Sequence, residues 1–302
     1  MPAMIRQTLA VLLVLPALAV AQDDPAAAAL KKQKETAADT MQRVGVDNGT
    51  VAETGAIVLY TTHPEAKAKT LAAAAQKAYD TTIKLLKVED KTTLWPGKLT
   101  AFVLPTRTNY NSFVRLILRD RPEAVESHRV RSTTDQPFVM VGVEPGTTAT
   151  DASVAEEVSR TVADAVLRRK FGTRTTAPEL PFWFTEGFGK LAVARADGNA
   201  AKLAALRAKQ RAAFSRRTVN AFKVGDVWGA DSFKDKDVLE ISFVEFLLDG
   251  EGGTFDKFAS AFKPDEDNRR ATTADGLAAL MWKDDAALDA MWKTWMLKAL
   301  NK

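Results

Sequence analysis

The chain of 302 residues contains no cysteine and only two histidines, His63 and His128. The first absence excludes disulfides, thiolate metal sites, a cysteine nucleophile and a lipidated N-terminal cysteine. The second leaves no histidine pair at ligand spacing. His63 stands alone before proline in YTTHPEA, and His128 stands alone beside arginine in AVESHRVRS, so each reads as a structural or solvated side chain. A strong excess of one charge is missing as well. The 42 Lys and Arg against 38 Asp and Glu give +4, too mild a balance to argue for nucleic acid. No G-x-S-x-G elbow exists to support Ser159 as a nucleophile, and no D-x-D-x-D-G loop is present to hold calcium. An all-oxygen cation site would have to draw on Glu156, Glu157, Asp164 and Glu186.

Long apolar runs are also scarce. The one at the N-terminus, Leu9 to Val20 in MPAMIRQTLAVLLVLPALAVAQDD, is too short to span a bilayer. One arginine precedes it and Ala19-Val20-Ala21 follows, ahead of a polar segment. This predicts a signal peptide over residues 1–21, cut after Ala21, and hence a secreted or periplasmic protein with no transmembrane segment.

What remains is a chain that is 46% hydrophobic and can bury a sizeable core. Residues 22–42, rich in Ala, Lys and Asp, read as a linker or a short polar helix. Asn48-Gly49 predicts a hairpin between Arg43–Val46 and Thr50–Glu53. GAIVLYTT, KLTAFVLP and QPFVMVGV read as buried strands, separated by helical patterns that begin at Pro64 and Thr106. Beyond residue 190 every apolar pattern has helical period. Trp282, Trp292 and Trp295 fall at spacings that would pack the last helices together. The basic residues Lys202, Arg207, Lys209, Arg211, Arg216, Arg217 and Lys223 read as a solvated face. The expected class is α+β, with a mixed α/β half over 43–175 and a helical half over 176–302.

The two halves meet in the stretch from Ser153 to Ala194. Val154, Val158, Val162 and Val166 recur every four residues and predict one buried stripe of a helix. After a proline-broken loop comes ELPFWFTEGFGKLAVA, in which Phe182 and Trp183 are expected to pack inward and Glu186-Gly187 to lie in a second helix. Ser153 and Glu156 fit the S-x-x-E capping pattern, and Glu156 stands four residues before Arg160, where the two could form a surface pair. Glu186, flanked by aromatics, needs a cationic partner, for which Arg160, Arg168 and Lys190 are the candidates.

This arrangement resembles the gluzincin branch of the zincin metallopeptidases, particularly secreted bacterial members with a peptidase-MA-like domain. In that family H-E-x-x-H on one helix is followed by L-P-x-W-[LF]-x-E-G-[LF] on a second. Leu180, Pro181, Trp183, Phe184, Glu186, Gly187 and Phe188 match the second motif. Placing the general-base glutamate at Glu156 puts Ala155 and Ser159 at the two histidine positions, so both imidazoles are missing. The resemblance implies a zincin-like fold over 43–302 and zinc as the family's cofactor, with Glu186 as the one ligand retained. A catalytic zinc site normally has three protein ligands, and a single carboxylate does not hold the metal. No zinc is therefore expected, and Glu156 would have no metal-bound water to deprotonate. These features predict a pseudo-peptidase whose former cleft takes a peptide or protein ligand. The alternatives are an active hydrolase with an atypical metal site and a structural cell-envelope protein.

Overall fold

The computed structural model describes residues 25–89, 94, 95, 97–123, 127–132, 137–142, 151–173, 177–196, 198–215, 217–229, 235–250, 254–263, 271–282 and 284–301. The expected signal peptide, its cleavage point and Arg216 lie outside them.

Three runs with almost no polar side chain form the centre of a five-stranded sheet: β2 (Ile57–Thr61), β3 (Leu99–Leu104) and β5 (Phe138–Gly142). They pair in parallel, and both of their faces are covered, which is why their sequences are continuously apolar. Two short antiparallel strands flank them, β1 (Thr50–Glu53) and β4 (His128–Arg131), in the order β1-β2-β3-β5-β4. Alternate residues divide the core in two. Leu59, Ala101 and Val139 face α2 (Glu65–Leu85) and α4 (Asp151–Phe171), while Tyr60, Phe102 and Met140 face α1 (Pro25–Arg43) and α3 (Arg107–Leu116).

The segment read as a linker or short polar helix is thus α1, a helix of 19 residues that seats Ala37 and Met41 on the sheet. Gly45, at φ +82°, stops it. The N–H of Gly45 donates to Gln42 and that of Val46 to Met41, closing the helix end in a left-handed turn. Residues 43–46 are therefore helix terminus, and the expected hairpin at Asn48-Gly49 does not form. β1 instead turns back at Thr54 to pair with β2, Glu53 opposite Val58.

The second half holds α5 (Phe182–Arg195), α6 (Ala200–Ala213), a 3-10 turn (Val224–Val227), α7 (Lys236–Asp249), α8 (Thr254–Ser260), α9 (Thr273–Ala278) and α10 (Asp285–Leu300). The result is an α+β protein with ten α-helices and one small mixed sheet among the described residues. None of these helices is long and apolar enough to cross a membrane. α7 is buried on all sides from Val238 to Leu247 and acts as the axis of the helical half. Trp292 of α10 is fully buried against Phe214, Phe222 and Phe243, whereas Trp282 stacks on Phe246 and Trp295 meets the same ring edge-on.

α5 lies between α4 and α7, and two glycines set that closeness. A Cβ on Gly189 would come within 2.5 Å of Arg160 Cγ on α4, and one on Gly187 within 2.8 Å of the Glu240 carbonyl oxygen on α7. The second obstacle is backbone and cannot swing away. Gly187→Val is expected to cost about 3 kcal/mol by overpacking, read by urea denaturation. A cost below about 0.5 kcal/mol would mean that the helices are not held this close.

Candidate functional site

α4 begins at Asp151, two residues before Ser153, so Ser153 lies inside the helix and the capping reading of Glu156 does not hold. Glu156 is exposed and its carboxylate pairs with Lys202 of α6 at 2.6 Å, not with Arg160. Ser159 is buried and its hydroxyl donates to the Ala155 carbonyl at 2.7 Å, one turn back in the same helix. Ala155 is half-buried against the main core. Glu186 takes its hydrogen bond from none of these three side chains.

The α4 side chains that do reach it are the next ones along. Glu186 is 6% exposed, and its Oε2 accepts a hydrogen bond from Arg160 Nη1. The other nitrogen of the same guanidinium, Nη2, donates to Glu157 Oε2. One planar cation thus bridges a carboxylate of its own helix and one of α5, a use of the arginine fork that a lysine would not reproduce. Lys190 Nζ stands 3.8 Å from Glu186 Oε2, on the following turn of α5. Of the three expected partners Arg160 and Lys190 are present, and Arg168 is instead bound to Asp164 at 2.8 Å.

The third wall of the site is a strand that periodicity did not reveal. β4 reads H-R-V-R, four residues with one apolar side chain, and it pairs with β5 so that His128 faces α4. His128 Nδ1 lies 3.0 Å from Glu157 Oε1 and Nε2 lies 4.0 Å from Glu186 Oε1, while Ser127 Oγ donates to Glu157 Oε1 at 3.1 Å. His128 is therefore a site residue, against its reading as a structural or solvated side chain. His63 remains at the turn after β2, where its N–H donates to Thr61 Oγ1 at 3.2 Å.

Glu157 shows how firmly the cluster is charged. Burial pushes its carboxyl up, but the His128 hydrogen bond and the charges of Arg160 and His128 outweigh this and bring it down to about 2. Its folded value lies below the unfolded one of 4.5, so its contribution is complete above pH 4.5 and disappears as pH falls toward 2. The groups facing it are His128, Arg160 and, beyond the guanidinium, Glu186 and Lys190. Glu157→Gln is expected to flatten the acid limb of the stability curve between pH 4.5 and 2, as followed by urea midpoints. An unchanged limb would show that Glu157 titrates normally.

The donor set does not fit zinc. A guanidinium has no lone pair to give, keeps its charge, and sits between the two carboxylates that a metal would need. Glu156 is tied to Lys202 and Asp164 to Arg168, so the all-oxygen set of Glu156, Glu157, Asp164 and Glu186 does not assemble. Among the described residues no group of three His, Cys, Asp or Glu side chains is arranged to hold a metal ion.

One smaller correction concerns the motif that leads into α5. Trp183 is buried among Phe184, Trp228, Phe243 and Phe258, as its pattern implies, but Phe182 is 72% exposed. Phe182 is the first residue of the helix, one step of about 100° from Trp183, and that step turns it out of the core. No protein-family model and no curated protein matches this chain.

Proposed function

We propose that this is an exported, catalytically degenerate metallopeptidase-like protein in which an arginine has taken the place of the catalytic metal. The observation that carries the reading is the position of Arg160, bridging Glu157 and Glu186 across the α4–α5 contact. It supports a zincin-like ancestry in a register one residue further along than Ala155, Glu156 and Ser159. In the string Glu156-Glu157-Val158-Ser159-Arg160, the outer residues stand at the two imidazole positions and Glu157 at the general base, with Glu186 as the old third ligand. The general base is then held ionised with no metal-bound water to act on, so hydrolysis by the family's route is lost.

A binding role fits what is left. β4 ends the sheet, so one side of its backbone is free of strand pairing among the described residues, next to the His128 cluster. An extended peptide could add there by main-chain hydrogen bonds, which makes a peptide or protein segment the proposed ligand. The test is metal analysis and a protease assay on the exported protein. The expected result is less than about a tenth of an equivalent of zinc and no chelator-sensitive proteolysis. Stoichiometric zinc that survives dialysis would overturn the proposal.

A further inference from the structure

On the sheet face opposite α4, a cleft of about 300 Å³ opens between α1 and α3. Its origin lies in the side chains that α1 turns toward the sheet. Ala29, Gln33, Thr36, Ala37 and Thr40 recur at spacings of three and four, so one helical face lines the cleft with mostly short residues. The floor is aromatic. Phe102, Phe113 and Phe138 form a mutually packed triad with ring centroids 5.1, 5.3 and 6.0 Å apart.

The polar groups along the walls are already satisfied within the protein. Gln33 Nε2 donates to Thr100 Oγ1 at 2.9 Å, and its Oε1 accepts from the Lys98 N–H at 3.2 Å. The Thr36 and Thr40 hydroxyls donate to carbonyls one turn back, at 2.9 and 2.8 Å. An occupant therefore needs an apolar body and gains little from hydrogen-bonding groups along it. The charged residues lining the cleft are Lys32 and Lys98, with no carboxylate among the lining residues. Lys98 is held by Glu53 at 2.7 Å, which leaves exposed Lys32 at the rim as the cation open to a ligand.

The geometry points to a binding site for a medium-chain aliphatic carboxylate, its chain along the lining face of α1 and over the edges of Phe102 and Phe138, with Phe113 fully buried behind them, and its head group against Lys32. The volume is at the lower end for small-molecule sites, which sets the limit on chain length. The site is separate from the α4–α5 cluster and independent of the function proposed for it.

The experiment is calorimetric titration of the full chain with octanoate, decanoate and decan-1-ol. One site per chain is expected, with affinity rising about fourfold for each added methylene from octanoate to decanoate. Decan-1-ol, which has no charge for Lys32, should bind up to about fivefold more weakly than decanoate. Thr36→Phe should fill the cleft and abolish binding while leaving the melting curve unchanged. Lys32→Glu should weaken decanoate but not decan-1-ol. Absence of saturable decanoate binding would overturn the proposal, as would parent-like binding by folded Thr36→Phe. Should Thr36→Phe not fold, equal decanoate affinity in the parent and in Lys32→Glu would do the same.

Discussion

The paired substitution Glu156→His and Arg160→His is expected to turn the protein into a zinc binder, with affinity raised roughly a thousandfold or more over the parent. It places two imidazoles one helical turn apart, frees position 156 from its present pairing with Lys202, and removes the guanidinium that now bridges Glu157 and Glu186. The second histidine then takes over the position from which α4 touches the α5 carboxylate. Without metal the variant should be less stable than the parent, because a buried and a half-buried carboxylate have lost their common cation. With zinc its melting temperature should rise with metal concentration. Second-shell partners for the new imidazoles are not built in, and that lack costs about 10–100-fold, so activity need not return with binding. Adding Glu186→Ala must weaken binding strongly. The pair Ala155→His and Ser159→His is the discriminating control, since Ser159 is buried and bonded to its own helix and its histidine should give no zinc site. If that control binds zinc and the first pair does not, the register proposed for the site is wrong.

The second large effect lies away from the site. Glu245 on α7 is 1% exposed and receives hydrogen bonds from Arg195 of α5, Arg207 of α6 and Gln210. Burial raises its carboxyl, yet the Arg207 hydrogen bond and the charges of both arginines prevail and hold it below the ordinary carboxylate range. Glu245→Leu is expected to cost about 3–5 kcal/mol, since it leaves two partly buried guanidinium groups without their shared acceptor. Glu245→Gln should show the same sign, because an amide cannot serve both cations as a carboxylate does. Equilibrium denaturation of both variants tests this, and a loss under about 1 kcal/mol for Glu245→Leu would reduce the cluster to a surface-like pair. Because its pKa is depressed on folding, this support is present above the unfolded carboxylate pKa and fades as the pH drops.

The strands and helices that carry most apolar residues were readable from period alone. β2, β3 and β5 are continuous apolar runs, and the repeat Val154, Val158, Val162, Val166 announces α4. Elements with weak patterns were read only in part or not at all. α1 is polar on most of its surface and is recognised as a packed helix only through Met41 and the stop at Gly45. β4 is too short and too basic to show alternation, and with it went the role of His128. At the site, Glu186 was legible because a carboxylate among aromatics demands a partner, and Arg160 and Lys190 were named in advance as candidates. On α4 the side chains bonded at the site are Glu157 and Arg160, which the spacing did not single out from Ala155, Glu156 and Ser159. Sequence spacing gives which residues share a helical face, but not which of two adjacent faces meets the neighbouring helix. That was decided by the close approach at Gly189, which sets Arg160 against α5.

The bridge made by Arg160 also changes what this region depends on. A metal site is filled from solution, so its occupancy follows the supply of the ion and can be emptied by any stronger competitor. A guanidinium carried on the chain has no dissociation equilibrium. Its stoichiometry is one per molecule from the moment of synthesis, and the α4–α5 contact can form during folding without waiting for a cofactor. The same junction would hold its charge balance in zinc-poor and zinc-rich surroundings alike.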